Sequence, residues 1–295
     1  MMEEFDVILL GHFAKDREVV GEKETDQLGG AVYFGAFPLS KMGVKVGVVT
    51  KLAREDFSAL SELKQENISV FASEAPETTG MKNVYPTEQR EERKSYPMGF
   101  AGPFDLKDFP DVKAKVIHIG ALLKGEVPPE IIRQLSDRAE LGLDLQGFVR
   151  VKKEDTVVME EWDAAEDLLP HITYLKADDR EIEILTGNQD LKSAAKKASA
   201  MGPREVVITH DDGVLVHADN QIYEAPFRPD SLDGRTGRGD TCMATYLGNR
   251  AQGVSPENAT PFAAALTTLK LEKPGPFKGD IGEVKKLANE LRKNN

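Results

Sequence analysis

Ile172-Thr-Tyr-Leu-Lys176 is followed by Asp179-Arg-Glu-Ile-Glu-Ile-Leu185, then Leu191-Lys-Ser-Ala-Ala-Lys-Lys-Ala-Ser-Ala200, then Val206-Val-Ile-Thr209. A short apolar run too brief for a helix, two stretches with helical spacing and a second apolar run make a strand–helix–strand unit. The same order recurs elsewhere. Val7–Gly11, Val44–Thr50, Val116–Gly120 and Leu141–Leu145 read as further strands, and Ala31–Lys41, Glu130–Ala139 and Glu160–Leu169 as further helices. Strand runs that are apolar throughout belong to a parallel sheet covered on both faces, so the fold class is α/β, a three-layer, mainly parallel sheet flanked by helices. Two segments break this rhythm. Residues 18–28 are polar and lead into Gly29-Gly30, and residues 78–100 alternate polar and apolar around a charged turn at Glu88–Glu92. They predict a small sheet with one wetted face, built from about residues 12–28 and 78–102, which could act as a lid on a single domain covering 1–295.

Composition narrows the function. The 295 residues carry 38 Lys and Arg against 50 Asp and Glu, a net charge of −12, with no basic cluster. Nucleic acid and anionic membrane surfaces both need such a cluster, so neither is an expected partner. No apolar run approaches the length of a spanning helix, the acidic N-terminus does not resemble a secretory signal, and the lone Cys242 cannot form an internal disulfide. These features predict a cytoplasmic protein without a cysteine-type metal site. Cys242 reads as a small buried helix residue, and His12, His118 and His210 carry no assignable role.

The chemistry concentrates in Asp233-Gly-Arg-Thr236-Gly237-Arg238-Gly239-Asp240-Thr-Cys242, just ahead of a helical pattern. Glycines entering a helix let backbone N–H groups converge where the helix end is already positive, which makes an anion hole suited to a phosphoryl group. A carboxylate at its mouth could take the proton of an attacking hydroxyl. From these residues alone Asp240 reads as well as a helix cap. Neither Gly-x-Gly-x-x-Gly nor the Gly-x4-Gly-Lys-Ser/Thr loop occurs, so a dinucleotide site and a P-loop are unsupported.

Thr236, Gly237, Gly239 and Asp240 match the late signature of the ribokinase-like (PfkB) carbohydrate kinases, which the chain resembles from residue 7 to about residue 277. The resemblance implies an ATP- and Mg²⁺-dependent kinase with Asp240 as catalytic base. It implies a donor site at Thr209, Thr236, Gly237, Arg238, Gly239, Ala263 and Thr267. It places substrate at Asp16, Gly29 and Gly30, and metal at Glu181 with Asp178 in the place of the usual Asn. Departures from the pattern are Arg238 between the glycines, Gly234 where an Asp is usual, Phe34 where an Asn is usual, and Thr209-His-Asp211 for Thr-x-Gly. On residues alone Asp16 could be a turn residue and Glu181 part of a solvated helix face.

At the acceptor side, Asp144-Leu-Gln146 followed by Arg150 is similar to the inositol-kinase members. With Asp16 it offers acceptors suited to a polyol. A sugar or cyclic polyol is therefore the expected substrate. The alternatives are a nucleoside, with Tyr33 or Phe34 stacked on its base, and a ligand sensor that kept the fold. The expected assembly is a monomer or a homodimer paired through the lid.

Overall fold

The structure is a computed structural model and describes residues 2–85 and 94–293. Its large sheet runs from one edge as β5 (Ser69–Ala75), β4 (Val46–Ala53), β1 (Glu4–Leu10), β8 (Lys113–Ile119) and β9 (Glu140–Asp144), and continues with β12 (Tyr174–Asp178), β13 (Glu205–His210), β14 (Gly213–Ala218) and β15 (Gln221–Pro226). Pairing is parallel from β5 to β13, and antiparallel from β13 to β14 and from β14 to β15.

Alternation along each strand divides the interior in two. Val7 and Leu9 join one core with α1 (Ala31–Lys41), α8 (Arg238–Ala251), α9 (Pro256–Leu271) and α10 (Ile281–Lys293). Ile8 and Leu10 face the other, with α3 (Pro129–Ser136), α5 (Ala165–Leu168), α6 (Asp179–Thr186) and α7 (Leu191–Ala200). Two single-turn helices, α2 (Ser61–Gln65) and α4 (Gln146–Val149), complete the set. This is the expected three-layer arrangement. None of the helices among the described residues is long and apolar enough to cross a membrane.

A second, four-stranded sheet has the order β3 (Lys23–Gly29), β2 (Ala14–Val20), β6 (Gly80–Tyr85), β7 (Lys94–Gly99), with β2 and β6 parallel. The turn expected at Glu88–Glu92 lies outside the described residues. Four chain crossings join this sheet to the body, and one polar knot ties three of them together. Thr79 Oγ1 lies 2.8 Å from His12 Nδ1 and accepts the Ala101 N–H at 2.9 Å, while Glu126 Oε1 accepts the His12 N–H at 2.7 Å. Burial pushes the His12 imidazole down to about 3 and the Glu126 carboxyl up to about 7.

One helix differs from expectation. Residues 160–169 form no continuous helix. Glu160 continues the hairpin of β10 (Arg150–Lys153) and β11 (Thr156–Met159), donating its N–H to Val149. Trp162 then packs on Phe148 with ring centroids 4.6 Å apart, and only Ala165–Leu168 is α-helical before a 3₁₀ turn containing Pro170.

Candidate active site

The carboxyl ends of β9, β12 and β13 bring their last residues beneath the first turn of α8. Asp144 ends β9 at 1% exposure; its Oδ1 accepts the Lys176 ammonium and the Gln146 N–H, each at 3.1 Å. Its Oδ2 is buried and has no hydrogen-bond partner among the described residues, which leaves it open to a donor. Lys176, from the middle of a buried strand, also lies 3.7 Å from Glu181 Oε2. Burial opposes the Lys176 charge, but Asp144, Glu181, Asp178 and Asp240 together hold its pKa above the ordinary lysine range.

Asp178 and Glu181 start α6 as a reciprocal capping box: Asp178 Oδ1 accepts the Glu181 N–H at 2.8 Å and Glu181 Oε2 accepts the Asp178 N–H at 2.8 Å. Arg150 adds a bond to Glu181 Oε1 at 3.2 Å. Glu181 is fully buried and is not on a solvated helix face. Among the described residues no group of three or more His, Cys, Asp or Glu is arranged to hold a metal ion directly. The Asp178–Glu181 pair, already engaged by two N–H groups and two cations, suits a hydrated ion held through its waters.

Asp240 is the third residue of α8, not its cap; that position belongs to Gly237. Burial raises its pKa, and neighbouring Glu181 adds to this, against the pull of Lys176, Arg150 and Lys270. A carboxylate with a raised pKa is a stronger base for a hydroxyl proton.

Gly237 has φ +81°, and a Cβ there would fall 2.2 Å from Phe34 Cγ. Phe34 thus packs under the loop from α1 and offers no polar group to a substrate. A Cβ at Gly239 would lie 3.0 Å from Lys176 Nζ and 3.6 Å from Thr209 Oγ1, so these side chains form the floor of the hole. Gly237→Ala is expected to lose about 1–2 kcal/mol to the left-handed backbone and more to displacement of Phe34. Gly43→Ala, at φ +74° with open space around it, should show the backbone part alone. Thermal midpoints of the two variants give the comparison, and equal losses would contradict it.

Two departures from the family pattern explain each other. Arg238 Nη1 donates to Asp211 Oδ1 at 2.9 Å, and Arg235 stands 3.8 Å from the same oxygen. The pair links the β13–β14 turn to the start of α8, and the Arg238 bond holds the Asp211 carboxyl below the usual range. A third departure, Gly234, is steric: a Cβ there would lie 2.0 Å from the Lys273 carbonyl oxygen.

Asp16 lies within β2, not in a turn, and its Oδ1 accepts the Met81 N–H at 2.9 Å. Gly29 gives its carboxylate room, because a Cβ there would fall 2.3 Å from Asp16 Oδ2. Gly30, at φ +95°, caps α1. Beside them opens a cleft of about 290 Å³ lined by Asp16, Arg17, Gln27, Leu28 and Met98.

The structure thus gathers Asp144, Gln146, Asp178, Glu181, Thr209 and Thr236 to Asp240 at the strand ends, with Asp16, Gly29 and Gly30 at the sheet junction. Ala263 and Thr267 lie on α9. Both are wholly buried in the core, where Thr267 meets the Cys242 thiol between α8 and α9. Tyr33 is also withdrawn, with its ring packed on Phe13 and Phe37 and its hydroxyl donating to Glu62 at 2.8 Å. Sequence reasoning assigned no role to Lys176 or Lys270; the available signal was a lysine inside an otherwise apolar run.

The profile of the pfkB family carbohydrate kinases matches residues 5–279. The chain belongs to that family. This kinase is 38% identical to a pyrophosphate-dependent kinase of the ribokinase family solved with a pyrophosphate analogue and myo-inositol, over 95% of this chain and 99% of that one, at a TM-score of 0.88. It is 27% identical to a cytidine kinase of Thermococcus kodakarensis, over 84% of this chain and 89% of that protein. Ribokinase of Arabidopsis thaliana, solved with ribose and ATP, shares the fold at 17% identity and a TM-score of 0.73, covering 98% of this chain and 99% of that one. Like its relatives, the kinase is a phosphotransferase acting on hydroxyl groups.

Proposed function

We propose that this kinase transfers a phosphoryl group from inorganic pyrophosphate to a ring hydroxyl of a cyclic polyol of the myo-inositol kind. The observation that carries the choice of donor is the Arg235–Asp211–Arg238 cluster. Where the family pattern has small residues, Arg238 and Asp211 pair across the gap between the β13–β14 turn and α8, and Arg235 stands 3.8 Å from the same carboxylate. Ala263 and Thr267, the positions implied for a nucleotide, are sealed in the core. A donor without a base needs none of that space, and its charge suits guanidinium forks. The solved relative at 38% identity, complexed with a pyrophosphate analogue and myo-inositol, agrees with both halves of the reading.

In this mechanism Asp144, Gln146 and Asp16 orient the acceptor hydroxyls. Asp240 takes the proton of the reacting hydroxyl, whose oxygen bonds to phosphorus as the bridging P–O bond breaks and orthophosphate leaves. N–H groups from Gly237 to Asp240 bear the developing charge. Mg²⁺, held through its waters by Asp178 and Glu181, would neutralise donor charge beside this carboxylate-rich cluster. The small sheet closes as a lid and keeps water from the donor.

The alternatives weaken. A nucleoside acceptor, suggested by the cytidine kinase relative, would want an exposed ring, yet Tyr33 and Phe34 are buried at 5% and 2% exposure. A sensor without catalysis has no use for a base. The test is a product assay pairing pyrophosphate or ATP with myo-inositol, ribose, fructose, adenosine or cytidine. Turnover should be fastest with pyrophosphate and myo-inositol. Preference for ATP refutes the donor, preference for a nucleoside refutes the acceptor, and no turnover favours the sensor.

A further inference from the structure

Lys270 sits on the last turn of α9 at 1% exposure, an unusual place for an ammonium. Its Nζ donates to two backbone carbonyls of the loop before α8, those of Gly234 and Thr236. It also lies 5.1 Å from the centroid of the Phe34 ring, which packs against Gly237 as well. The Gly234 N–H donates to the Leu271 carbonyl at 2.8 Å, which laces the loop to the same helix end.

This arrangement has a consequence for the hole. In a trans peptide the carbonyl and the following N–H point in opposite directions. A Thr236 carbonyl turned toward Lys270 therefore turns the Gly237 N–H away from it, and the Gly234 carbonyl does the same for the Arg235 N–H. We propose that Lys270 is a positioning residue: its buried ammonium, tethered under the loop, fixes the carbonyls of Gly234 and Thr236 and so aims the N–H groups that receive the donor's phosphoryl oxygens. The ammonium also adds positive potential on the side where Asp240 and the donor meet.

The proposal deepens the kinase reading and rests on it, but anion binding tests it without turnover. Lys270→Ala leaves two carbonyls around an ammonium-sized hole. Calorimetric affinity for pyrophosphate should fall about 100-fold, with affinity for myo-inositol unchanged. Ammonium chloride should recover about tenfold of the loss, and tetramethylammonium chloride, too large for the hole, none of it. Unchanged pyrophosphate affinity, or a loss that ammonium does not repair, overturns the proposal.

The wild-type chain supplies a second measurement that holds even if the variant does not fold. Burial pushes the Lys270 ammonium down to about 8, opposed by the charge of Asp240. Asp240 on α8 is the charged group facing it; α1 presents the Phe34 ring and the loop its carbonyls. Lys176 is held above its ordinary value, so Lys270 is the lysine of the site that titrates here. Affinity for inorganic sulfate, which does not titrate in this range, should weaken about tenfold as pH rises through 8. A flat sulfate profile across that range overturns the proposal. Failure of the kinase reading would appear separately, as absent turnover with anion binding and its lysine dependence intact.

Discussion

Asp240→Asn is expected to lower turnover by about three to four orders of magnitude while pyrophosphate affinity stays within a few-fold of wild type. The amide has the shape of the carboxylate, so the first turn of α8 and its N–H groups keep their geometry. In the role proposed for Asp240, what is lost is the acceptor for the hydroxyl proton. Asp240 suits that task because burial raises its pKa while Lys176, Arg150 and Lys270 keep the raised value in check. Steady-state kcat and calorimetric donor affinity, measured together, decide the matter. Turnover within tenfold of wild type would remove Asp240 from the role of base; a parallel collapse of donor affinity would make it a structural residue of the anion hole.

Lys176→Met should produce the largest change in stability. Lys176 is the cation shared by Asp144 and Glu181, all three at 4% exposure or less. Removing it leaves two buried carboxylates with only Arg150 and backbone donors, and an uncompensated buried charge costs about 3–5 kcal/mol. At roughly 2–4 °C per kcal/mol for a chain of this size, the thermal midpoint should drop by about 10 °C at neutral pH. The sign of the pH dependence follows from the carboxylates. Burial already holds Asp144 and Glu181 above their ordinary values in the wild-type fold. A group whose folded pKa is raised contributes its stability below the unfolded pKa and loses it as pH rises through the folded pKa. The variant should therefore lie closer to wild type at pH 5 than at pH 8. Scanning calorimetry at the two pH values would contradict the assignment if the gap were constant or absent.

The fold was legible because its signals are local. Val7–Leu10 and Val206–Ile208 are apolar throughout, as doubly covered strands tend to be, and α1 and α7 fall on Ala31–Lys41 and Leu191–Ala200 as their periodicity predicts. Residues 160–169 carried helical spacing too, but tertiary packing of Trp162 on Phe148 and the Arg150–Met159 hairpin overrode it. Parts of the candidate site were placed by similar signals: Gly237 and Gly239 announce a helix entry, Asp144 ends a strand and Gln146 follows it. Lys176 and Lys270 were not, because a lysine in sequence reads as surface unless its partners are known, and those partners lie 32 residues away at Asp144 and 36 residues away at Gly234. Arg238 and Asp211 looked like two unrelated departures until the fold set them 2.9 Å apart.

Phosphorus NMR of the wild-type chain with pyrophosphate, Mg²⁺ and myo-inositol tests the central claim most directly. The expected spectrum is a growing phosphomonoester resonance matched one for one by orthophosphate, both slowed by about three to four orders of magnitude when Asp240→Asn replaces the wild type. Orthophosphate released with no monoester would mean that water, not a polyol, is the acceptor, and would contradict the account.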